Sequence, residues 1–143
     1  MAKGYKIEEM GEYMGYTYSI VFQKGGWRCG YVALPAGHPW ITDELFELNV
    51  DVHGGISYGK QNKNQCYPIS LENNAYWIGW DYNHYQDAVS PSTVREYFGD
   101  KEYEVCIAFS NLLLDGGHHY NQTEVKEDCL EVIKQAAVAA IIS

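Results

Sequence analysis

Two short segments hold most of the side chains in this chain that could do chemistry, residues 49–58 and residues 77–87. If the first is a β-strand, alternation places Asp51, His53 and Ser57 on one face and apolar side chains on the other. A carboxylate, an imidazole and a hydroxyl on one face could bind a polar ligand or transfer a proton. An ordinary solvated sheet face has the same composition, so the pattern keeps both interpretations open.

Two glycines, Gly54 and Gly55, interrupt the first segment. Paired glycines weaken a strand, and they indicate either a β-bulge or another group that comes close to the backbone. A bound ligand would be such a group. We therefore include both glycines among the candidate ligand-binding residues.

The second segment combines aromatic rings with hydrogen-bonding groups. In a strand, Trp77 and Asp81 share a face and Trp80 lies on the other. His84 and Asp87 follow where the chain leaves the strand. A planar heterocycle could stack on the indole rings while the carboxylates bind exocyclic amines or ribose hydroxyls. Aromatic residues of this kind also form ordinary cores, so the pattern favours a ligand site without excluding a packing role.

A third candidate is the turn that contains His38 and Trp40. The proline between them fixes the backbone, so the turn presents both side chains together. They could form the rim of a ligand site. A turn of this type with an anchoring tryptophan is equally a packing device.

Metal binding and catalysis have less support in the sequence. Histidine and aspartate are common metal ligands, but His53, His84 and the aspartates near them match no recognised spacing such as HExxH. The chain has no GxSxG elbow, no Walker-type GxxxxGK and no GxGxxG turn. We therefore predict no catalytic residue, no metal and no cofactor, and we favour a protein that is not an enzyme.

An antiparallel sheet followed by helices has to position these residues. Runs of β-branched and aromatic residues predict strands at residues 16–22, 27–34, 47–58 and 75–82. Helical spacing with Pro and Gly boundaries predicts helices at residues 91–98, at residues 103–114 and from residue 121. The expected fold is a single α+β domain, in which a C-terminal helix and one or two shorter helices cover a sheet of about four strands. Its parts are an N-terminal extension at 1–14, a mainly β region at 15–82 and a mainly α region at 90–143.

The C-terminal helix is the most clearly marked element. Asn121 and Glu124 fit an N-cap with a capping box. Apolar side chains then recur at helical spacing, at Val125, Cys129, Val132 and Ala136. Residues 103–114 fit a strand or a helix, and we favour a helix whose inward face carries Val105, Ala108, Phe109 and Leu112.

Composition limits the functional classes. The chain has 143 residues, of which 46% are hydrophobic, and this suits one compact domain. Its net charge of −9 disfavours binding to long DNA or RNA, which relies on a basic surface. We find no secretory signal and no long apolar run, so we expect a cytoplasmic protein that does not bind a membrane. The four cysteines are widely spaced, and we expect them to be reduced.

Three motifs resemble those of a family of small, uncharacterised proteins from bacteriophages and prophages. They are GYVALPAGHP at residues 30–39, DVHGG followed by SY at residues 51–58, and WIGWD followed by His and Asp at residues 77–87. The similarity runs from about residue 27 to residue 87 and resumes at residues 124–129. Family members usually have Gly-Phe-Asp-Cys where the third motif here has Gly-Trp-Asp-Tyr, so a role for a thiol at the last of these positions is not expected.

The resemblance implies a role in the conflict between phage and host. Small phage proteins of this kind include some that sequester the nucleotide signals of bacterial immunity, such as ADP-ribose derivatives or cyclic nucleotides. The implied ligand would be held by aromatic rings and aspartates, with Arg28 or the backbone amides of Gly54 and Gly55 at its phosphates. We also expect a homo-oligomer. The acidic net charge opposes an anionic ligand unless basic residues are concentrated locally.

Two other functions fit the same residues. His53 or His84 could be the general base of a hydrolase that cleaves such a nucleotide. Alternatively, the tyrosine-rich surface could dock on a host protein and inhibit it, since Tyr and Trp supply large contact areas. We rank ligand binding first because the polar and aromatic residues concentrate in two segments. This hypothesis requires the two segments to close around one shared pocket.

Overall fold

A computed structural model describes residues 4–61, 75–84, 86–110 and 117–142. Within them the elements are β1 (Tyr5–Tyr13), β2 (Tyr16–Gln23), β3 (Arg28–Leu34), β4 (Tyr58–Gln61), β5 (Tyr76–Asp81), α1 (Pro91–Phe98), α2 (Asp100–Ser110) and α3 (Gln122–Ile142). A short 3₁₀ turn, Leu45–Glu47, precedes β4. The strands form one antiparallel sheet in the order β1-β2-β3-β5-β4. The predicted α+β class is confirmed, with five strands instead of about four.

The first strand lies where the sequence predicted an N-terminal extension, so that prediction is wrong. Its regular pattern is broken by a β-bulge: Ile7 and Glu9 pair with consecutive residues of β2, which leaves Glu8 as an extra residue in the ladder. An extra residue shifts the alternation of side chains by one position. The sequence of this strand therefore shows no continuous period of two.

The strand predicted at residues 47–58 is wrong except at its last residue. Only Tyr58 belongs to a strand, because β4 begins there. Gly54 and Gly55 have φ angles of 70° and 77°, in the left-handed region that strands do not use. The chain turns at this point, and the Gly55 N–H donates to the Val52 carbonyl at 2.9 Å. The alternation that sorted this segment into two faces does not apply to it.

The two shorter helices lie close to their predicted positions. α1 has the predicted bounds and is followed by Gly99 at a φ of 96°. α2 begins earlier than predicted, and its predicted inward face is wrong at Val105, which is 45% exposed, whereas the neighbouring Cys106 is buried. Ala108 is exposed as well. The side chain of Phe109, and Leu112 entirely, lie outside the described residues.

The C-terminal helix begins as predicted. The Glu124 N–H donates to Asn121 Oδ1 and the Asn121 N–H donates to Glu124 Oε1, both at 2.9 Å, which is a capping box. The predicted apolar stripe is buried against the sheet, at Val125, Cys129, Val132, Ile133 and Ala136. Burial of a large aliphatic side chain contributes about 1.5–3 kcal/mol. This packing fixes α3 and therefore also fixes where its polar side points.

The two tryptophans of β5 lie on opposite faces of the sheet. Trp80 belongs to the core under α3, while Trp77 belongs to the core of the other face. Gly30 makes room for Trp80, because a Cβ there would lie 2.5 Å from the indole ring.

Among the described residues, no helix combines the length and the apolar character needed to cross a membrane.

Candidate functional site

The loop before β4 and the turn after β5 meet at a histidine–aspartate pair. His53 Nε2 lies 2.8 Å from Asp87 Oδ2 and donates a hydrogen bond to it. The Asp87 side chain is only 4% exposed, whereas that of His53 is 24% exposed. The structure thus brings the two chemistry-bearing segments together, with the carboxylate inside and the imidazole reaching the surface.

Asp87 accepts two further hydrogen bonds, both from His84. The backbone N–H of His84 is 2.9 Å from Asp87 Oδ2, and its Nδ1 is 3.1 Å from the same oxygen. Burial alone raises the pKa of the Asp87 carboxyl, but the hydrogen bonds from His53 and His84 outweigh it and bring the pKa below its ordinary value. Asp87 is therefore an ionised acceptor that orients both imidazoles at neutral pH.

Aromatic rings hold the His53 imidazole in place. It stacks on Tyr82 with 4.8 Å between ring centroids and an angle of 13°, and its centroid is 4.6 Å from that of Tyr120. Tyr82 and Tyr120 are themselves 4.8 Å apart. The three rings form one cluster, which limits the orientations open to His53.

The paired glycines predict that another group comes close to the backbone. At Gly54 this group is the ring of His84. A Cβ on Gly54 would lie 2.4 Å from His84 Cε1, and the φ of 70° already disfavours any side chain. A Cβ on Gly55 would have no heavy atom within 4 Å, so this glycine serves the turn alone. The two glycines therefore have different roles.

A chain of hydrogen bonds connects the ring cluster to α3. Trp80 Nε1–H donates to the Tyr82 hydroxyl at 2.9 Å, and that hydroxyl donates to Asp128 Oδ2 at 2.5 Å. Burial, and then the Asp128 carboxylate, raise the pKa of Tyr82 far above its ordinary value. Tyr82 is thus a permanently neutral donor that fixes the position of the Asp128 carboxylate.

An open pocket of about 370 Å³ lies between the His53 loop and α3. It is lined by Asp51, Val52, His53, Tyr120, Asp128, Glu131 and Gln135. Gln135 ties the loop to the helix, because its amide donates to the Asp51 carbonyl and accepts from the Asp51 N–H, both at 2.8 Å. Of the described lining residues, three are carboxylates and none is Lys or Arg. The pocket is rich in hydrogen-bond acceptors beside two rings.

Ser57 and Asp81 lie beside this site. The Ser57 hydroxyl donates to Asp81 Oδ2 at 3.4 Å. The other oxygen, Asp81 Oδ1, accepts from the Asn83 N–H at 3.1 Å and lies 3.7 Å from His84 Nε2. The polar residues predicted in both segments therefore share one region of the surface.

Four other predicted residues do not reach it. Trp77 and Trp80 are buried in the core and present no ring to a ligand, so the predicted stacking on them is not supported. His38 is buried as well, with Nε2 2.9 Å from the Ala136 carbonyl and Nδ1 accepting from the Trp40 N–H. The turn that holds His38 and Trp40 packs against α3, which is the alternative interpretation of its sequence.

Arg28 is held by other protein groups. Its Nε and Nη2 lie 2.6 and 3.0 Å from the two oxygens of Glu8. Its Nη1 donates to the Tyr120 carbonyl at 3.1 Å and lies 3.0 Å from His119 Nε2. With all three nitrogens engaged and the side chain buried, Arg28 is not free to bind a phosphate, which was one of the two options that the resemblance implies.

Comparison with known proteins adds no relative. No protein-family model, no curated protein and no solved structure matches this chain. The resemblance to phage proteins stays a prediction.

Five polar or aromatic residues of the site were not predicted from the sequence. Tyr82 and Tyr120 supply the rings, and α3 supplies Asp128, Glu131 and Gln135. The three α3 residues follow the spacing i, i+3 and i+7, which places them on one side of a helix. That spacing is visible in the sequence, but only the packing of α3 shows that this side borders a pocket.

One group of side chains has the composition of a metal site. His53, His84 and Asp87 each place a potential ligand atom so that all three atoms lie within 4.8 Å of one another. Two imidazoles and a carboxylate form a donor set suited to a transition metal.

Proposed function

We propose that the protein binds the nucleoside part of a nucleotide-derived ligand in the pocket between the His53 loop and α3, and that it stores this ligand without cleaving it. The observation that carries the proposal is the lining of this pocket, where Asp51, Asp128 and Glu131 stand beside the rings of His53 and Tyr120.

The lining favours a ligand that donates hydrogen bonds. Ionised carboxylates only accept, and their partners are hydroxyls and amines such as those of a ribose or an adenine. The rings of His53 and Tyr120 offer contact to a flat heterocycle. A volume of about 370 Å³ lies at the lower end of the range for small-molecule pockets. It suits a nucleoside better than a whole dinucleotide.

A phosphate fits this pocket poorly. The described lining residues include no cation, and Arg28 is paired with Glu8. Glu131 is paired with Lys134 at 3.1 Å, so Asp51 and Asp128 are the carboxylates that would repel an anionic group. The sugar and base of the ligand would therefore lie inside the pocket and its phosphates outside.

Storage is favoured over turnover by what surrounds the ligand. The described lining includes no Ser, Thr, Cys, Lys or Arg, so it supplies no aliphatic hydroxyl or thiol nucleophile and no Lys or Arg to stabilise developing negative charge. The further step, that the ligand is a signal of bacterial immunity and the protein is encoded by a phage, depends on the motif resemblance alone.

Calorimetric titration with adenosine, ADP-ribose and a cyclic dinucleotide tests the proposal. We expect adenosine to keep most of the binding energy of the tightest of the three. Glu131→Gln should weaken binding, whereas Glu127→Gln should not, because Glu127 is exposed on the same helix and outside the pocket lining. Absence of binding by all three probes, or equal effects of the two variants, would overturn the proposal.

Hydrolysis is the second candidate because of one observation, the hydrogen bond from His53 to the buried Asp87. A carboxylate that orients an imidazole is the arrangement of a general base. Chromatography of the titrated samples separates the two functions. An unaltered nucleotide recovered after denaturation supports storage, and a cleaved product that disappears in His53→Gln supports hydrolysis.

The predicted homo-oligomer can be tested at the C-terminal end of α3. Val138, Ile141 and Ile142 are more than half exposed there. If chains associate through this end, light scattering should report a multimer that Ile141→Glu converts to a monomer.

A further inference from the structure

We infer that His53, His84 and Asp87 form a three-ligand site for one divalent transition-metal ion of the Zn²⁺ type. The three residues come from the loop before β4 and the turn after β5, and their potential ligand atoms lie within 4.8 Å of one another. This site does not depend on the nucleoside proposed above, because it requires only these three side chains.

The spacing of the ligand atoms is close to what an ion needs. Bonds of about 2.0–2.1 Å to a tetrahedral Zn²⁺ place neighbouring ligand atoms about 3.4 Å apart. Asp87 Oδ2 lies 2.8 Å from His53 Nε2 and 3.1 Å from His84 Nδ1. Small outward movements of the two rings would therefore admit an ion at the point where both now donate to Asp87.

The surrounding groups hold the three ligands in advance. The His53 ring packs on Tyr82 and Tyr120. The bare backbone of Gly54 leaves room for the His84 ring, and a Cβ there would occupy its place. A site of this kind needs little reorganisation to bind a cation.

A second carboxylate lies behind one of the imidazoles. Asp81 Oδ1 is 3.7 Å from His84 Nε2, the ring nitrogen that would carry the proton when Nδ1 binds an ion. Metal-bound histidines commonly donate their other N–H to a carboxylate, which fixes the ring and the tautomer. Asp81 is in the position for that role.

The donor set and the exposure define the class of ion. Two nitrogen ligands favour Zn²⁺, Co²⁺ or a similar ion over Mg²⁺ and Ca²⁺, which prefer oxygen. Three protein ligands leave a fourth position, and the 43% exposure of the His84 side chain places that position at the surface.

Titration of the chelator-treated full chain with ZnCl₂ alone tests the inference. We expect one ion per chain by calorimetry and by native mass spectrometry. His84→Gln should weaken Zn²⁺ binding by more than the 10- to 100-fold that loss of an outer carboxylate typically causes, and Asp81→Asn should weaken it by about 10- to 100-fold. His118→Gln is the matched control, because it removes an exposed histidine outside the cluster.

Cobalt distinguishes this site from the cysteines. Co²⁺ bound to His53, His84 and Asp87 should show visible d–d absorption without the near-ultraviolet band that a thiolate ligand produces. Cys29, Cys106 and Cys129 are buried, and burial raises the pKa of each thiol. A thiolate band would therefore locate the ion elsewhere and overturn the inference.

Two further outcomes would contradict it. One is a wild-type chain that binds no stoichiometric Zn²⁺, and the other is His84→Gln binding Zn²⁺ as tightly as the wild type. The His84 side chain is 43% exposed, so its replacement should leave the fold intact, which circular dichroism can verify. Failure of adenosine to bind while Zn²⁺ binds would reject the nucleoside proposal and leave the metal site standing.

Discussion

Two regions of this protein combine the same residue types and differ in what they can do. In the pocket-side pair, His53 and Asp87, a buried carboxylate orients an imidazole that reaches the surface. In the arginine cluster, formed by Arg28, Glu8, Tyr97 and His119, every polar group has a protein partner and the carboxylate is 2% exposed. The difference shows that exposure and unused donor or acceptor capacity distinguish a candidate site from a structural network.

The groups of the arginine cluster form their hydrogen bonds with one another. The Tyr97 hydroxyl donates to Glu8 Oε2 at 2.5 Å, and Arg28 donates to both oxygens of the same carboxylate. Burial, and then Glu8, raise the pKa of Tyr97 to about 12. The Glu8 carboxylate is 2% exposed and its hydrogen bonds join β1, β3 and α1.

Replacing Arg28 with Met should have the largest effect on stability. The change leaves the Glu8 carboxylate buried without its cation, which typically costs about 3–5 kcal/mol of unfolding free energy. Urea denaturation followed by circular dichroism measures it. The matching change in the pocket-side pair, His53→Gln, should cost only about 1 kcal/mol, because Asp87 keeps its two hydrogen bonds from His84. Equal losses in the two variants would refute the distinction between a closed and an open region.

Replacing Tyr82 with Phe should have the next largest effect. It leaves Trp80 Nε1 buried without an acceptor, which costs about 1–3 kcal/mol. It also releases Asp128, so nucleoside binding should weaken in the same variant. Tyr120→Phe is the control, because it keeps the ring contacts and the hydrogen bonds from Trp80 to Asp128. A Tyr82→Phe protein as stable as the control would show that the chain of hydrogen bonds contributes nothing measurable.

Replacing the two glycines of the loop one at a time distinguishes the cost of a left-handed backbone from the cost of a steric contact. Alanine at either position adopts a left-handed backbone, which costs about 1–2 kcal/mol. Gly55→Ala should show that loss alone, since nothing lies near its Cβ. Gly54→Ala should in addition displace the His84 ring, which NMR of the imidazole protons would detect. If both variants leave the His84 resonances unchanged, the close packing of Gly54 on His84 is wrong.

Local sequence signals were sufficient for those parts of the fold that depend on neighbours in the chain. The capping box at Asn121 and Glu124 involves residues three apart, and the α3 stripe repeats within one helix. The missed strand β1 depends on a bulge, which no regular period reveals. The prediction of a strand at residues 47–58 was wrong because it relied on alternating polar and apolar residues. The left-handed backbone at Gly54 and Gly55 interrupts this alternation.

The sequence indicates which residue types belong to the site, but it does not indicate which residues contact each other there. His53, His84 and Asp87 stand out because imidazoles and carboxylates are concentrated near glycines. Asp128 is 46 residues from Tyr82 in the chain, and their contact depends on how α3 packs on the sheet. Composition likewise cannot distinguish a buried ring from an exposed one, which is why Trp77 and Trp80 were assigned to the ligand.

The smallest expected effect is a pH dependence that belongs to the arginine cluster. His119 Nε2 accepts from Arg28, so its proton lies on Nδ1, 3.2 Å from the Ala88 carbonyl. Burial, assisted by the charge of Arg28, lowers the pKa of His119 below its ordinary value of 6.5. The unfolded chain therefore binds a proton more readily, and the contribution of His119 to stability is complete at neutral pH and declines as the pH falls below about 6.5.

His119→Gln should remove this part of the pH dependence. Urea denaturation at several pH values between 7 and 5 should show a smaller loss of unfolding free energy for the variant than for the wild type. His118→Gln is the comparison variant, because it removes the neighbouring histidine, its 2.6 Å contact with Glu124 and its smaller effect on the pKa of His119, and leaves the His119 imidazole in place. If the His119→Gln protein loses as much stability over this range as the wild type, the imidazole in the arginine cluster is not held in its neutral form.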